Sequence, residues 1–212
     1  VQELQIGIDI LFGLNETFPE VPAYAELLAG NNHNMGLILD GMNDFDKSIE
    51  YLNKAIDLHD RLMKKYSNIP RHAASLASAI GSRANALYRH SKFEGAEVDH
   101  RRSIEIRRQL VAEHPGSKNF SIDLCGGLVN FGNMKRSQGD MKEALGYFDQ
   151  AIRVIGPVLP LARANTGSST TVFARNAQWG RATVLEELMR YSDAREAWAA
   201  ALSLAGPGIR TL

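Results

Sequence analysis

The stretch NFGNMKRSQGDMKEALGYFDQAI, Asn130–Ile152, sets a glycine inside one amphipathic run, breaks at Gly139-Asp140, and opens a second amphipathic run. The same pattern recurs when the chain is displaced along itself by 48 residues: Gly36 falls on Ala84 and on Gly132, Leu28 on Leu76 and Leu124, Phe45 on Phe93 and Met141, and Ala55 on Ser103 and Ala151. Phe18, Tyr66 and His114 keep that register, as do Pro22 and Pro70. Upstream, LQIGIDILFGL (Leu4–Leu14) lies over LNKAIDLHDRL (Leu52–Leu62); downstream, after a two-residue insertion, YSDAREAWAAAL (Tyr191–Leu202) lies over MKEALGYFDQAI. A fixed period of this length defines a repeat architecture before any local motif is weighed.

Within a unit the apolar residues return every three to four positions, as in Leu76, Ile80, Ala84 and Leu87, which is the helical period. Each unit therefore holds two helices of about 15–22 residues, or roughly 25–33 Å. The second starts near Asp44, Lys92, Asp140 and Ser192, with turn and N-cap residues at Asn43-Asp44, Gly139-Asp140 and Ser192-Asp193. It breaks at YSNIP, HPGSKN and GPVLP, where proline disfavours continuation. One helical hairpin cannot bury its own apolar stripe, so stacked neighbours must cover it. The expected architecture is nine helices without strands, beginning with an unpaired second helix. Leu4, Ile8 and Leu11 on that helix are expected to be partly exposed.

These residues resemble the tetratricopeptide repeat, in which small side chains let helices approach. Here they are Gly36, Ala84, Gly132 and Ala182 in the first helix, and Ser48, Ala96, Ala144, Ala194, Ala55, Ser103, Ala151 and Ala201 in the second. The large partner matches Leu52, Phe148 and Trp198, while His100 departs from it as a half-buried packing substitute. The resemblance implies an all-α, right-handed superhelical stack of antiparallel helix pairs, an α-solenoid. The expected division of one array over 1–212 is a truncated second helix at 1–17, repeats at 18–65, 66–113 and 114–160, a degenerate repeat at 161–207, and a tail at 208–212. The long period is similar to that of kinesin light chains. Phe18–Leu62 also resembles repeats attached to bacterial serine/threonine protein kinases, which share the aromatic-Pro-x-x-Pro-x-Tyr entry and the Asn-x-Gly of the first helix. No glycine-rich loop with a strand lysine, His-Arg-Asp or Asp-Phe-Gly is present, so no kinase domain lies in this sequence.

Composition narrows the function. Lys and Arg number 24 against 24 Asp and Glu, which leaves no electrostatic footprint for nucleic acid or an anionic membrane. No apolar run reaches the roughly 20 residues that span a bilayer, and Val1 opens in mid-unit without a signal-peptide pattern, so a fragment of a longer cytoplasmic protein is expected. One cysteine forms no internal disulfide. The six histidines lack ligand spacing for zinc, and NTGSST lacks the lysine of a phosphate loop, so neither a metal nor another cofactor is expected. No catalytic constellation is legible, and the expected activity is not enzymatic.

If first helices line a concave surface, a side chain repeated with the unit becomes a ladder along it. Asn34, Asn85, Asn130 and Asn133 stand two places before or one place after the small residue. An amide both donates and accepts, which suits the backbone of an extended peptide. His33, Tyr88, Arg89, Arg136 and Trp179 share that face and are expected to select side chains. The expected function is a protein-interaction scaffold within a larger signalling protein, with a peptide or partner domain in the groove. The alternative is a structural spacer or oligomerisation region of a bacterial serine/threonine kinase, and self-association through the exposed N-terminal helix is a further expectation. In chaperone-tail readers of the resembled family a lysine–asparagine clamp holds a terminal carboxylate. His33 and Gly126 occupy lysine positions of that clamp here, so that ligand is not expected.

Overall fold

A computed structural model describes residues 1–159 and 167–205. The expected boundary at 160/161 and the tail at 208–212 lie outside them. Among the described residues there are nine α-helices and no strand: α1 (Gln2–Thr17), α2 (Pro22–Gly41), α3 (Phe45–Lys65), α4 (Pro70–Arg89), α5 (Phe93–Glu113), α6 (Lys118–Ser137), α7 (Met141–Ile155), α8 (Ser169–Glu187) and α9 (Tyr191–Ser203). A 3₁₀ turn, Gly156–Val158, extends α7. The fold is an all-α stack of helix pairs in which α1 packs on α2, α2 on α3 and α3 on α4, and in the second unit α6 on α7, α7 on α8 and α8 on α9. It divides into two compact units, Val1–Leu110 and the residues from Val111 onward.

One loop is used four times to reverse the chain inside a helix pair. Asn43, Ser91, Gly139 and Met189 take positive φ, at 63°, 59°, 86° and 56°. The next amide reaches back across each helix end: Asp44 N–H to Leu39 O, Lys92 to Leu87, Asp140 to Lys135 and Arg190 to Leu185, at 2.8–2.9 Å. This left-handed closure satisfies carbonyls that the helix end would otherwise leave unpaired. Two expectations are corrected. The fourth reversal is at Met189-Arg190, and Ser192 and Asp193 already lie in the first turn of α9. Asp44 and Asp140 stand at N-cap positions but make no side-chain cap bond, and Asp44 instead pairs with Lys47 at 3.0 Å.

The connectors that lead into the next first helix carry a ring pair: Phe18 with Tyr24, Tyr66 with His72, and His114 with Phe120, centroids 6.2, 5.9 and 5.4 Å apart. Proline begins α2 and α4, where a missing amide proton costs nothing, and Ser117 caps α6.

Every small residue singled out in the sequence is buried. A methyl group at Gly36 would stand 2.6 Å from Leu52 Cγ. Ser48 Oγ donates to Gly36 O at 2.8 Å and Ser103 Oγ to Ala77 O at 2.7 Å, so hydroxyls at these crossings spend their polarity on the neighbouring helix backbone. His100 is fully buried rather than half-buried, and burial pushes its imidazole down to about 4, which keeps it neutral.

In α1, Ile8 is buried rather than partly exposed, because its stripe turns onto Leu28, Met35 and Leu39 of α2. Leu4 and Leu11 remain partly exposed beside it. The open apolar side chains are Ile6 and Ile10, 54% and 58% exposed on the opposite face, together with Phe12.

Candidate functional site

The first helices α2 and α4 lie side by side in the first unit, joined by three polar rungs. At their N-terminal ends Arg71 Nη2 donates to both oxygens of Glu26, at 2.6 and 2.7 Å. Midway, His33 Nε2 meets Ser82 Oγ at 2.8 Å. At their C-terminal ends Arg89 pairs with the buried Asp40. Between the first two rungs opens a cavity of about 350 Å³, lined by Glu26, Leu27, Gly30, His33, Asn34, Arg71, His72, Ser75 and Ser78, with His59 of α3 on the second-helix side.

Two features of this cavity carry chemistry. His59 and His72 are 6% and 2% exposed; His59 Nδ1 and His72 Nε2 are closed off from solvent without a hydrogen bond, and His72 Nε2 lies 3.6 Å from Glu26 Oε1. A buried polar atom left unpaired costs about 1–3 kcal/mol. The second feature is charge. Burial, and then the neighbouring His33 and His72, push His59 down to about 4. Burial lowers His33 and His72 as well, with Arg71 adding to the effect on His72 and Glu26 opposing it. The only full charges on the wall, Glu26 and Arg71, cancel each other. At neutral pH the cavity is thus uncharged overall and rich in hydrogen-bonding groups.

The sequence candidates divide between the units. His33 lines the cavity and Asn34 lies at its exposed mouth. Asn85 and Tyr88 are half-buried on α4, Tyr88 tilted toward Phe93 with centroids 6.0 Å apart. Arg89 is engaged with Asp40, which draws its charge away from any incoming acidic group. In the second unit Asn130 and Asn133 are exposed on α6 and Arg136 is half-buried. Trp179 is 54% exposed and stands edge-on to Trp198 of α9, centroids 5.3 Å apart. Of the nine candidates, the cavity brings together His33 and Asn34.

Sequence reasoning missed His59, His72, Glu26 and Arg71. A signal for the two histidines was present: His59 sits in the stripe Leu52, Ala55, Ile56, His59, Leu62, and His72 precedes Leu76 and Ile80 in the stripe of α4. A polar residue at a core position asks for a partner. Outside the cavity, Cys125 is buried and its thiol pushed up to about 12, which makes it inert. Among the described residues no cluster of His, Cys, Asp and Glu has metal-holding geometry, and no helix is long and apolar enough to cross a membrane.

Comparison with known proteins bears on this geometry. Two segments match tetratricopeptide repeat models, residues 29–59 and 76–116, which between them include α3's His59 and most of α2 and α4. The fold is similar to that in the crystal structure of BtubC (BKLC) from P. vanneervenii, with a TM-score of 0.65 and 14% identity over 96% of this chain and 79% of that one. The DHF58 filament covers 89% of this chain and 91% of its own at 18% identity, with a TM-score of 0.39. No curated protein matches. The repeat matches and the BtubC likeness support a tetratricopeptide repeat array, a fold class that serves generally as a protein-interaction module.

Proposed function

We propose that this chain is a protein-interaction scaffold that receives an extended peptide or partner segment along its first helices, with the groove between α2 and α4 as the recognition centre. The observation that carries this reading is the cavity between α2 and α4, where Glu26, His33 and Asn34 of one first helix and Arg71, Ser75 and Ser78 of the next line a single opening. Asn34 at the mouth supplies an amide for a peptide backbone, and Asn85, Asn130 and Asn133 do the same elsewhere on the first helices. The chain acts by binding and not by catalysis, in the cytoplasm. The resemblance of the entry motif and first helix to kinase-attached repeats supports a parent signalling protein with a serine/threonine kinase domain.

The test is selection from a random peptide library on the immobilised protein, repeated with Asn34, Asn85, Asn130 and Asn133 all changed to alanine. Each lost hydrogen bond should weaken a selected peptide by roughly 0.5–1.5 kcal/mol while the fold persists, since none of the four is fully buried. Peptides retained equally by both proteins would refute the asparagine ladder, and a protein that selects no peptide would refute the groove.

A further inference from the structure

A second cavity, of about 370 Å³, lies in the first unit between the second helices α1 and α3, over the buried Leu28 and Asn32 of α2. The repeat shows why it stays open. One repeat further on, the equivalent junction between α3 and α5 is bridged by Arg102 Nη2 and Asp60 Oδ1 at 3.3 Å. One period earlier those two places hold Lys54 and Phe12. Phe12 offers no carboxylate, and Lys54 turns along its own helix to Glu50 at 2.6 Å. The junction therefore keeps a cleft in place of a bridge, with the exposed Phe12 on its wall. Ile8, Leu28 and Leu58 complete the apolar lining. Asp9, Glu16 and Asp57 face Lys54 and Arg61 around it, and Lys54 is already neutralised by Glu50, so negative charge prevails. α1 adds to it: Glu16 stands in its last turn with no basic side chain there, whereas α3 ends on Lys64 and Lys65. The negative end of the α1 dipole thus lacks a cation in its own last turn.

We infer that the cleft between α1 and α3 is a docking site for a partner protein segment that inserts one large apolar side chain beside a lysine or arginine. Phe12, Ile8, Leu28 and Leu58 cover the apolar side chain, and Glu16, Asp57 and the carbonyl end of α1 meet the cation. An acidic segment would face three carboxylates with Arg61 alone to offset them. A segment without an apolar anchor would leave Phe12 in water. The surface is separate from the α2–α4 groove: Leu28 and Asn32 line this cleft, and Gly30 between them lines the groove on the other side of α2.

The experiment is a titration of the whole isotope-labelled chain with acetyl-Gly-Arg-Phe-Arg-Gly-amide, followed through its backbone amide signals by NMR. Amides of α1 and α3 should shift saturably, and added salt should weaken the response. The counterparts with glutamate in place of arginine, or alanine in place of phenylalanine, should bind about tenfold more weakly or worse. Phe12→Ala removes an exposed wall of the cleft and should lose about tenfold, while its spectrum keeps the dispersion of a folded protein. Phe12→Asp with Lys54→Arg supplies the bridge found between α3 and α5 and should abolish binding. Gly30→Leu, on the other groove, should bind as the parent does. Equal binding of either counterpart peptide, shifts that avoid α1 and α3, or unchanged affinity in both Phe12 variants would overturn the inference. Loss of binding in Gly30→Leu would place the peptide in the α2–α4 groove and overturn it too. Self-association that Phe12→Ala abolishes, with no response to the arginine peptide, would give the cleft to a second copy and overturn it equally.

Discussion

Gly180 and Gly146 both lie inside helices of the second unit, and alanine should act on them with opposite signs. Helix propensity alone favours either substitution by about 0.5–1 kcal/mol. At Gly146 of α7 a new methyl group meets nothing within 4 Å, so that gain should appear in full. At Gly180 of α8 the methyl would stand 2.8 Å from Phe148 Cδ1 and closer still to Cε1 and Cζ. Ordinary carbon contacts lie at about 3.5–4.0 Å, so the ring would have to withdraw by about 1 Å. It has nowhere to go. Phe148 is fully buried, and the equivalent methyl position at Gly132 of α6 lies 3.1 Å from the same ring edge. Overpacking of this kind costs about 1–3 kcal/mol, which exceeds the propensity term and leaves a net loss of about 1–2 kcal/mol for Gly180→Ala. Urea denaturation should show the midpoint falling for Gly180→Ala and rising for Gly146→Ala, with the slope unchanged. Adding Phe148→Leu to Gly180→Ala should cost less than Phe148→Leu alone. A Gly180→Ala protein as stable as Gly146→Ala would refute the packing of Phe148 between the two first helices.

Three further outcomes follow from the same geometry. Ala144→Leu and Ala151→Leu, each at a fully buried crossing, should lower stability by roughly 1–3 kcal/mol in chemical denaturation; unchanged midpoints for both would contradict the assigned register. His59 and His100 are each held near 4 in the fold against 6.5 when unfolded, so the native state binds fewer protons. Their contribution is present above about pH 6.5 and is lost as pH falls toward 4, by roughly 2 kcal/mol each at pH 5. His100→Leu, which restores the apolar type found at Leu52 and Phe148, should flatten that slope between pH 7 and 5, and an unaltered slope would show His100 to be uninvolved. Ile6 and Ile10 present apolar surface on α1; sedimentation should show association at high concentration that Ile6→Lys with Ile10→Lys abolishes, and a monomer at every concentration would count against self-association through this helix.

The helix pairs and their crossings were legible because they obey local rules. The apolar period, the turn residues and the small side chains recur along the chain, and a helix crossing depends on the same residues in each unit. The site was legible only in part because its partners obey no single offset. Glu26 meets Arg71 across 45 residues, whereas His33 meets Ser82 across 49. His59 belongs to a second helix, which repeat logic assigns to the outer layer, yet it lines the cavity beside α2 and α4. Gly180 is hidden for another reason: the repeat points to the close approach inside a helix pair, where Ala182 lies in the core with Ala194 and Ala197 of α9, whereas Phe148 presses on Gly180 from the preceding pair. Ile8 departs from the expected exposure because the succeeding helix, and not a preceding one, covers its stripe.

The central claim is that the α2–α4 groove receives a partner segment, and the affinity of one library-selected peptide for the parent protein and for Gly30→Leu tests it most directly. Fluorescence anisotropy with the labelled peptide should give a saturable curve for the parent and a loss of about tenfold or more for Gly30→Leu, since Gly30 lines the cavity and a Cβ added there meets nothing within 4 Å. Equal affinity for the two proteins would contradict the account and place the binding surface away from this groove.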